Sequence, residues 1–204
     1  MAPAARQRLT RRYGDAAAFS RAFSPEKTEA FAAHPERCVA GEAPALVDVA
    51  LAYGDTAARA WLMAQIKALA EYCGDRNALT ADQCYQCASN MQTHYFYLKT
   101  TDFMLYFSLV KAGRYGCFYG RIDPMRIVGW LKNYVDDRNR IYARVEAQRA
   151  ADRQREDDRH QRYGPSMSRE EYEQWKRDNP ESYARLMDEI KAGDEARKRR
   201  REGQ

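Results

Sequence analysis

Cys84 and Cys87 are the residues of this 204-residue chain whose spacing points most directly to chemistry, because two thiolates three positions apart serve zinc sites and redox centres. Cys73 or Cys117 could complete a metal set. The surroundings favour another role. The pair falls inside a helical pattern without the Gly or Pro turn of a zinc knuckle, and no second CxxC or HxxxH accompanies it. Positions i and i+3 on an apolar stripe are where buried cysteines ordinarily sit. Core packing is therefore the expectation, with no metal ligand and no cofactor assigned. The histidines His34, His94 and His160 are spread over the chain, with no carboxylate or thiol at a telling separation. Asp136 and Asp137 look like paired carboxylates, yet adjacent helical residues diverge by about 100° and share no face, so a solvated surface is expected for both. Neither a Walker-type loop nor a GxGxxG follows a strand, no catalytic residue is assigned, and the chain is read as non-enzymatic.

The candidate binding surface lies further along, in Lys111-Ala-Gly-Arg-Tyr-Gly-Cys-Phe-Tyr-Gly-Arg-Ile-Asp-Pro124. Gly113, Gly116 and Gly120 allow positive φ, which lets a backbone turn tightly and approach a partner. Lys111, Arg114, Arg121 and Arg126 offer donors to phosphate, and Tyr115, Phe118 and Tyr119 could stack on bases or pin the loop to the core. Half of the chain's aromatic residues, 12 of 24, fall between Tyr95 and Tyr142.

Charge follows the same geography. The net +5 is the balance of +4 from residues 1–14, −4 from 15–94, +5 from 95–145 and zero from 146–204, where 15 basic residues meet 15 acidic ones. A basic excess that coincides with the aromatic-rich connector is what a surface facing an anionic partner requires. No apolar run approaches the roughly 18 residues of a membrane span, and no leader pattern is apparent, so a cytoplasmic protein with reduced cysteines is expected.

The elements that must position this connector read as helices throughout. Residues 1–41, broken by Pro25, Pro35 and Gly41, are expected to form a flexible arm with a short helix capped by Ser24. A core domain spans 42–145. In it Asp55 is expected to cap a helix carrying Trp61, Leu62, Ile66 and Leu69 at three- and four-residue spacing, and Thr80 with Gln83 makes a capping box for the next. Thr100 or Thr101 should cap a helix over Phe103–Lys111 that is apolar on nearly every side and hence central. Asp123 as N-cap and Pro124 at the first turn open another, with Ile127, Val128, Leu131, Tyr134, Val135 and Ile141 inward. Trp61, Phe103, Phe107, Trp130 and Leu131 are the expected core markers. Beyond Val145 the apolar pattern fades, so a charged helix projecting past the core is expected to about His160 and to end at Gly164-Pro165. Ser168 and Glu171 form a second capping box, and Asn179-Pro180 separates two short helices in a helix-turn-helix-like tail, the second over Glu181–Lys191. The fold class is all-α: a compact multi-helix domain (42–145) with a charged extension and basic tail (146–204).

These residues carry a resemblance. Tyr95-Phe-Tyr-Leu-Lys99, Asp102-Phe-Met-Leu-Tyr-Phe107, Lys111-Ala-Gly-Arg-Tyr-Gly116, Phe118-Tyr-Gly120, Asp123-Pro124, Trp130-Leu-Lys-Asn-Tyr134 and Arg138 resemble an uncharacterised α-helical family of gut bacteria, their phages and mobile elements. Ala43-Pro-Ala-Leu46, Tyr53-Gly54 and Trp61-Leu62 fit the same pattern, so the likeness covers residues 36–142 and leaves the tail outside. It implies a shared helical domain and a replication or mobile-element setting, and it supplies no catalytic residue. The order of helices is also similar to the small domains of phage helicase loaders and replisome organisers, a likeness of fold alone. The leading expectation is a helical accessory protein that binds nucleic acid or a replication protein. The alternative is a scaffold in which residues 146–204 mediate homo-oligomer formation without nucleic acid, and a metal-binding enzyme is the third reading.

Overall fold

The computed structural model describes residues 2–74, 79–118, 121–163 and 167–202, with side chains from 6 to 159 and from 167 to 194 within those stretches. The chain runs α1 (Ala2–Tyr13), α2 (Ala16–Ala22), a 3-10 turn (Pro25–Lys27), α3 (Thr28–Ala32), α4 (Pro35–Ala40), α5 (Leu46–Tyr53), α6 (Asp55–Tyr72), α7 (Ala81–His94), α8 (Thr100–Lys111), α9 (Pro124–Tyr163), α10 (Arg169–Asp178) and α11 (Pro180–Glu202). Among the described residues strand-like pairing is confined to one antiparallel bridge, Ala45 with Lys99. The protein is all-α. It divides into two units, residues 1–149 and 150–204.

In the first unit α8 is the central element, as its sequence demands: Phe103, Met104, Leu105, Tyr106, Phe107 and Val110 are all buried, so no face of this helix is left for water. Around it pack Trp61, Leu62, Ile66 and Leu69 of α6, Cys84, Cys87 and Met91 of α7, and Ile127, Leu131 and Tyr134 of α9. Residues 16–40, expected in an arm, instead supply Phe19, Phe23, Cys38 and Val39 to the same core. Their incorporation is fixed by hydrogen bonds that periodicity cannot show. The Trp61 indole N–H and the Gln65 side-chain amide both donate to the Phe23 carbonyl, at 2.8 and 2.9 Å. Of the expected core markers, Trp130 is only half-buried: it packs at the margin of the core, with its ring against Phe118 of the connector.

Helix starts agree with the sequence where a polar side chain has no competitor. Thr80 accepts from the Gln83 N–H while Gln83 accepts from that of Thr80, and Asp123 accepts from the Met125 N–H at 2.8 Å. Two expectations change. Gly54, at φ +95°, takes the cap position that Asp55 was assigned, and Asp55 becomes the first helical residue. At α8 the cap residue is Lys99, whose N–H donates to Asp102, and Thr100 and Thr101 lie inside the helix.

The second unit comprises residues 150–163 of α9 with α10 and α11. Ion pairs Arg155–Asp152 and Arg159–Glu156, at 3.5 and 3.2 Å and three residues apart, run along the α9 portion. The Ser168–Glu171 capping box forms at the start of α10. Tyr172 stacks on Trp175 and meets Tyr183 across the Asn179 joint, with ring centroids 6.2 and 6.3 Å apart. Helix α11 continues to Glu202, past the Lys191 expected as its end, so the basic run 197–201 is helical. The expected stop at Gly164-Pro165 lies outside the described residues.

Candidate functional site

The connector begins as a helix terminus. Gly113, at φ +74°, donates its N–H to the Val110 carbonyl and Arg114 donates to that of Leu109, at 2.9 and 3.0 Å, the paired bonds of a Schellman stop. A second glycine, Gly116 at φ +121°, brings the backbone against the Trp130 indole: a Cβ there would sit 3.5 Å from the ring. These two turns decide where the functional side chains go.

The aromatic residues turn inward. Tyr115 stacks on Tyr106 of α8 with centroids 6.2 Å apart and planes at 23°, and Phe118 packs on Trp130 at 4.9 Å. Both are half-buried, so they pin the loop, the second of the two roles open to them. Tyr119 and Gly120 lie outside the described residues. The cations divide as well. Arg114 Nε donates to Asp137 Oδ2 at 2.7 Å, and the Tyr115 hydroxyl donates to the same oxygen at 3.2 Å. Arg126 donates to the Cys117 carbonyl and lies 3.9 Å from Asp123. The Lys111 ammonium sits 5.8 Å over the Tyr72 ring, and Arg121 is exposed.

Asp137 departs from the solvated role expected of it, while Asp136 keeps that role. Arg140, one turn along α9, lies 3.3 Å from the other Asp137 oxygen. The hydrogen bond from Arg114 holds the Asp137 carboxyl below the usual aspartate range, whereas burial, reinforced by Asp137, pushes the Tyr115 hydroxyl up. Two adjoining clefts share Arg114, Asp137 and Arg140. One, of about 440 Å³, reaches Asn133 and Asp136, and the other, of about 270 Å³, adds Arg144, Ile141 and Leu109. The surface thus becomes a ledge of guanidinium groups along α9 beside the connector.

Beneath this ledge is a polar cluster that the sequence reading did not assemble. The Asp102 carboxylate is wholly buried in the first turn of α8 and accepts from the Lys99 N–H at 3.0 Å, the Tyr134 hydroxyl at 2.8 Å and Arg138 Nε at 3.1 Å. Burial pushes its pKa up, and the neighbouring Arg138 opposes that shift. The Lys99 ammonium, its own pKa lowered by burial, donates to the Val39 and Gly41 carbonyls at 2.8 and 2.7 Å, closing the end of α4. The Tyr106 hydroxyl donates to the Ile127 carbonyl. Both Asp102 oxygens are occupied, so the cluster ties α4, α8 and α9 together and offers no base to a substrate. A signal existed: Arg138 continues the inward stripe Ile127, Leu131, Tyr134 at three- and four-residue spacing, where a basic residue calls for an acidic partner.

Cys84 and Cys87 are buried on the inner stripe of α7, and burial raises both thiols, Cys87 to about 12. Cys38, raised by burial to about 12, lies against the Phe31 carbonyl. Among the described residues no group of three His, Cys, Asp or Glu side chains converges as metal ligands would. No described helix is long and apolar enough to cross a membrane.

The fold and this site define an all-α domain centred on α8, whose buried Asp102 pairs with the half-buried Arg138, together with an arginine-lined ledge. Residues 81–181 match a family of unknown function, DUF6633. That stretch overlaps the resemblance read from the sequence over residues 81–142 and continues through α9 and α10, so it takes in tail residues that the sequence reading left outside. Asp102, Arg114, Tyr134, Asp137, Arg138, Arg140 and Arg144 all fall within it. No curated protein and no solved structure matches the chain.

Proposed function

We propose that this is a non-enzymatic cytoplasmic accessory protein of a phage or mobile-element setting that holds a nucleic-acid backbone on the ledge formed by Arg114, Arg140 and Arg144, with Lys111, Arg121 and Arg126 as further cations of the connector and its neighbouring helix ends. The observation that supports this is the orientation of the connector: among its described residues Tyr115 and Phe118 turn into the fold, and the clefts beside it are lined by the guanidinium groups of Arg114, Arg140 and Arg144. Contacts of that kind read phosphate and position the duplex or strand without reading sequence. Asp137 is the internal competitor, holding Arg114 and Arg140 until a phosphate replaces it.

The test is fluorescence anisotropy with a labelled random-sequence oligonucleotide, single- and double-stranded, across a salt series. Affinity should fall steeply with salt, and Arg140→Ala and Arg144→Ala should each shallow the slope by about one unit, as loss of one phosphate contact does. Asp137→Asn should tighten binding by freeing two guanidiniums. A parallel chain lacking residues 1–14 and 196–204 separates the ledge from the basic ends. Binding that survives both arginine changes and disappears with the ends overturns the reading.

A second reading has its own observation. In α11, Tyr183, Leu186, Met187 and Ile190 recur at positions i, i+3, i+4 and i+7, and Leu186 and Ile190 are exposed. Such a stripe suits pairing with a second copy of the chain, and the equal count of 15 basic and 15 acidic residues in 146–204 lets two copies approach without net repulsion. Sedimentation of wild type beside Leu186→Glu/Ile190→Glu tests it: a monomeric wild type removes the scaffold reading.

A further inference from the structure

A cleft of about 600 Å³ opens among α1, α2, α3 and α4, sharing no residue with the arginine ledge. We propose that it binds a small organic anion with a flat apolar body. The volume falls within the roughly 300–1,000 Å³ typical of small-molecule sites. Its walls are aromatic: Phe23 and Phe31 stack with centroids 5.6 Å apart and planes at 24°, and Tyr13 approaches Phe23 at 5.3 Å. Its base carries two polar groups that are already satisfied. The Thr101 hydroxyl donates to the Cys38 carbonyl at 2.7 Å, and the Cys38 thiol donates to the Phe31 carbonyl at 3.1 Å. At this base a ligand therefore meets aromatic faces and two polar side chains whose hydrogens are already engaged, so the portion buried there must be apolar.

The rim is different. Arg12, His34 and Arg37 surround the opening against one acid, Glu42. Arg12 lies 3.6 Å from the Glu42 carboxylate and donates to the Glu42 carbonyl at 3.4 Å, but the Glu42 side chain is 92% exposed, and an ion pair so open to water gives way to a better anion at little cost. Arg37 is exposed, with no ion pair to a described residue. The rim thus carries a cationic excess directly above an apolar slot, which selects a carboxylate or similar head on a planar body. Inorganic phosphate lacks the body, and a neutral arene lacks the head.

The walls are held in place before any ligand arrives. Two donors, Trp61 and Gln65, fix the Phe23 carbonyl, and Lys99 fixes the end of α4. Preorganisation of this sort lowers the ordering cost of binding. Of the lining, Thr101 alone falls in the stretch that matches the family, so the cleft belongs to the part of the chain that precedes that match.

Calorimetric titration of the full chain with 2-naphthoate tests the proposal, with 2-naphthalenemethanol and inorganic phosphate as comparators. Saturable one-to-one binding of 2-naphthoate is expected, with both comparators at least about tenfold weaker, the scale of one lost charge-assisted contact. Arg37→Ala should weaken 2-naphthoate about tenfold and leave the alcohol unchanged, again by loss of one such contact. Phe31→Leu, checked for an unchanged melting curve, should weaken both aromatic probes. Arg144→Ala, on the ledge, should change nothing here, so failure of one site is distinguishable from failure of the other. The proposal is overturned if 2-naphthoate does not bind, if the alcohol or phosphate binds as tightly, or if Arg37→Ala leaves 2-naphthoate affinity intact.

Discussion

Asp102 and Asp137 are both carboxylates paired with arginines of the connector or α9, yet their surroundings give them opposite energetics. Asp102 is fully buried, and truncating it to Ala would leave Arg138 nearly enclosed without its counter-charge and deprive Tyr134 and the Lys99 N–H of their acceptor. Breaking one side of such a pair typically costs about 3–5 kcal/mol, so Asp102→Ala should lower the urea midpoint strongly, whereas Asp102→Ala/Arg138→Met should recover part of the loss. Asp137 shows the other sign. Its pKa is depressed in the fold, so its contribution is complete above the aspartate value of the unfolded chain and is lost as pH falls through the lower folded value. The difference in melting temperature between wild type and Asp137→Asn should therefore be largest near neutral pH and close to zero in strong acid. A difference that stays constant with pH refutes the ion pair. Asp102 is common to both proteins and drops out of this difference, although its raised carboxyl favours the fold of each as acid is added. Among the thiols exposure decides: Cys117 should be alkylated by N-ethylmaleimide first, and Cys38 and Cys87 only on unfolding.

At the scale of elements, the connector is set by backbone conformation more than by charge. Gly116 occupies a φ that other residues rarely adopt and has the Trp130 ring above it, so Gly116→Ala should cost about 1–3 kcal/mol and redshift the Trp130 emission as Phe118 lifts away. Gly129 offers the converse case. It sits exposed within α9 with open space where a Cβ would go, and Gly129→Ala should stabilise the protein by about 0.5–1 kcal/mol in chemical denaturation. Equal effects of the two substitutions would show that the connector imposes no conformational demand. The same contrast explains the two altered helix starts. Gly54 holds a positive φ that leads directly into α6, and the Asp102 carboxylate reaches back to the Lys99 N–H, so the first-turn acid closes α8 where a threonine hydroxyl was expected.

For the whole molecule, the division at residues 149 and 150 predicts that a chain ending at Arg149 keeps a cooperative transition with native Trp61 and Trp130 fluorescence; a broad, non-cooperative melt would show that residues 150–204 complete the core. That the protein is all-α was legible without coordinates, because helical periodicity, capping boxes at Thr80 and Ser168 and the proline at the start of α9 are local signals that act within a few residues. The central place of α8 was legible too, since a helix apolar on every side has only one place to go. The inclusion of residues 16–40 in the core was not, because Phe19 and Phe23 are joined to Trp61 and Gln65 by contacts across about forty positions that no spacing rule encodes. The candidate surface followed the same division. Composition placed a basic excess at residues 95–145, but whether an arginine faces solvent or a carboxylate depends on which turns the connector takes. Tertiary structure alone drew Arg114 to Asp137, turned Tyr115 and Phe118 inward and aligned Arg140 and Arg144 beside them, because long-range pairing is decided by the summed packing of distant helices and not by any residue's own preference.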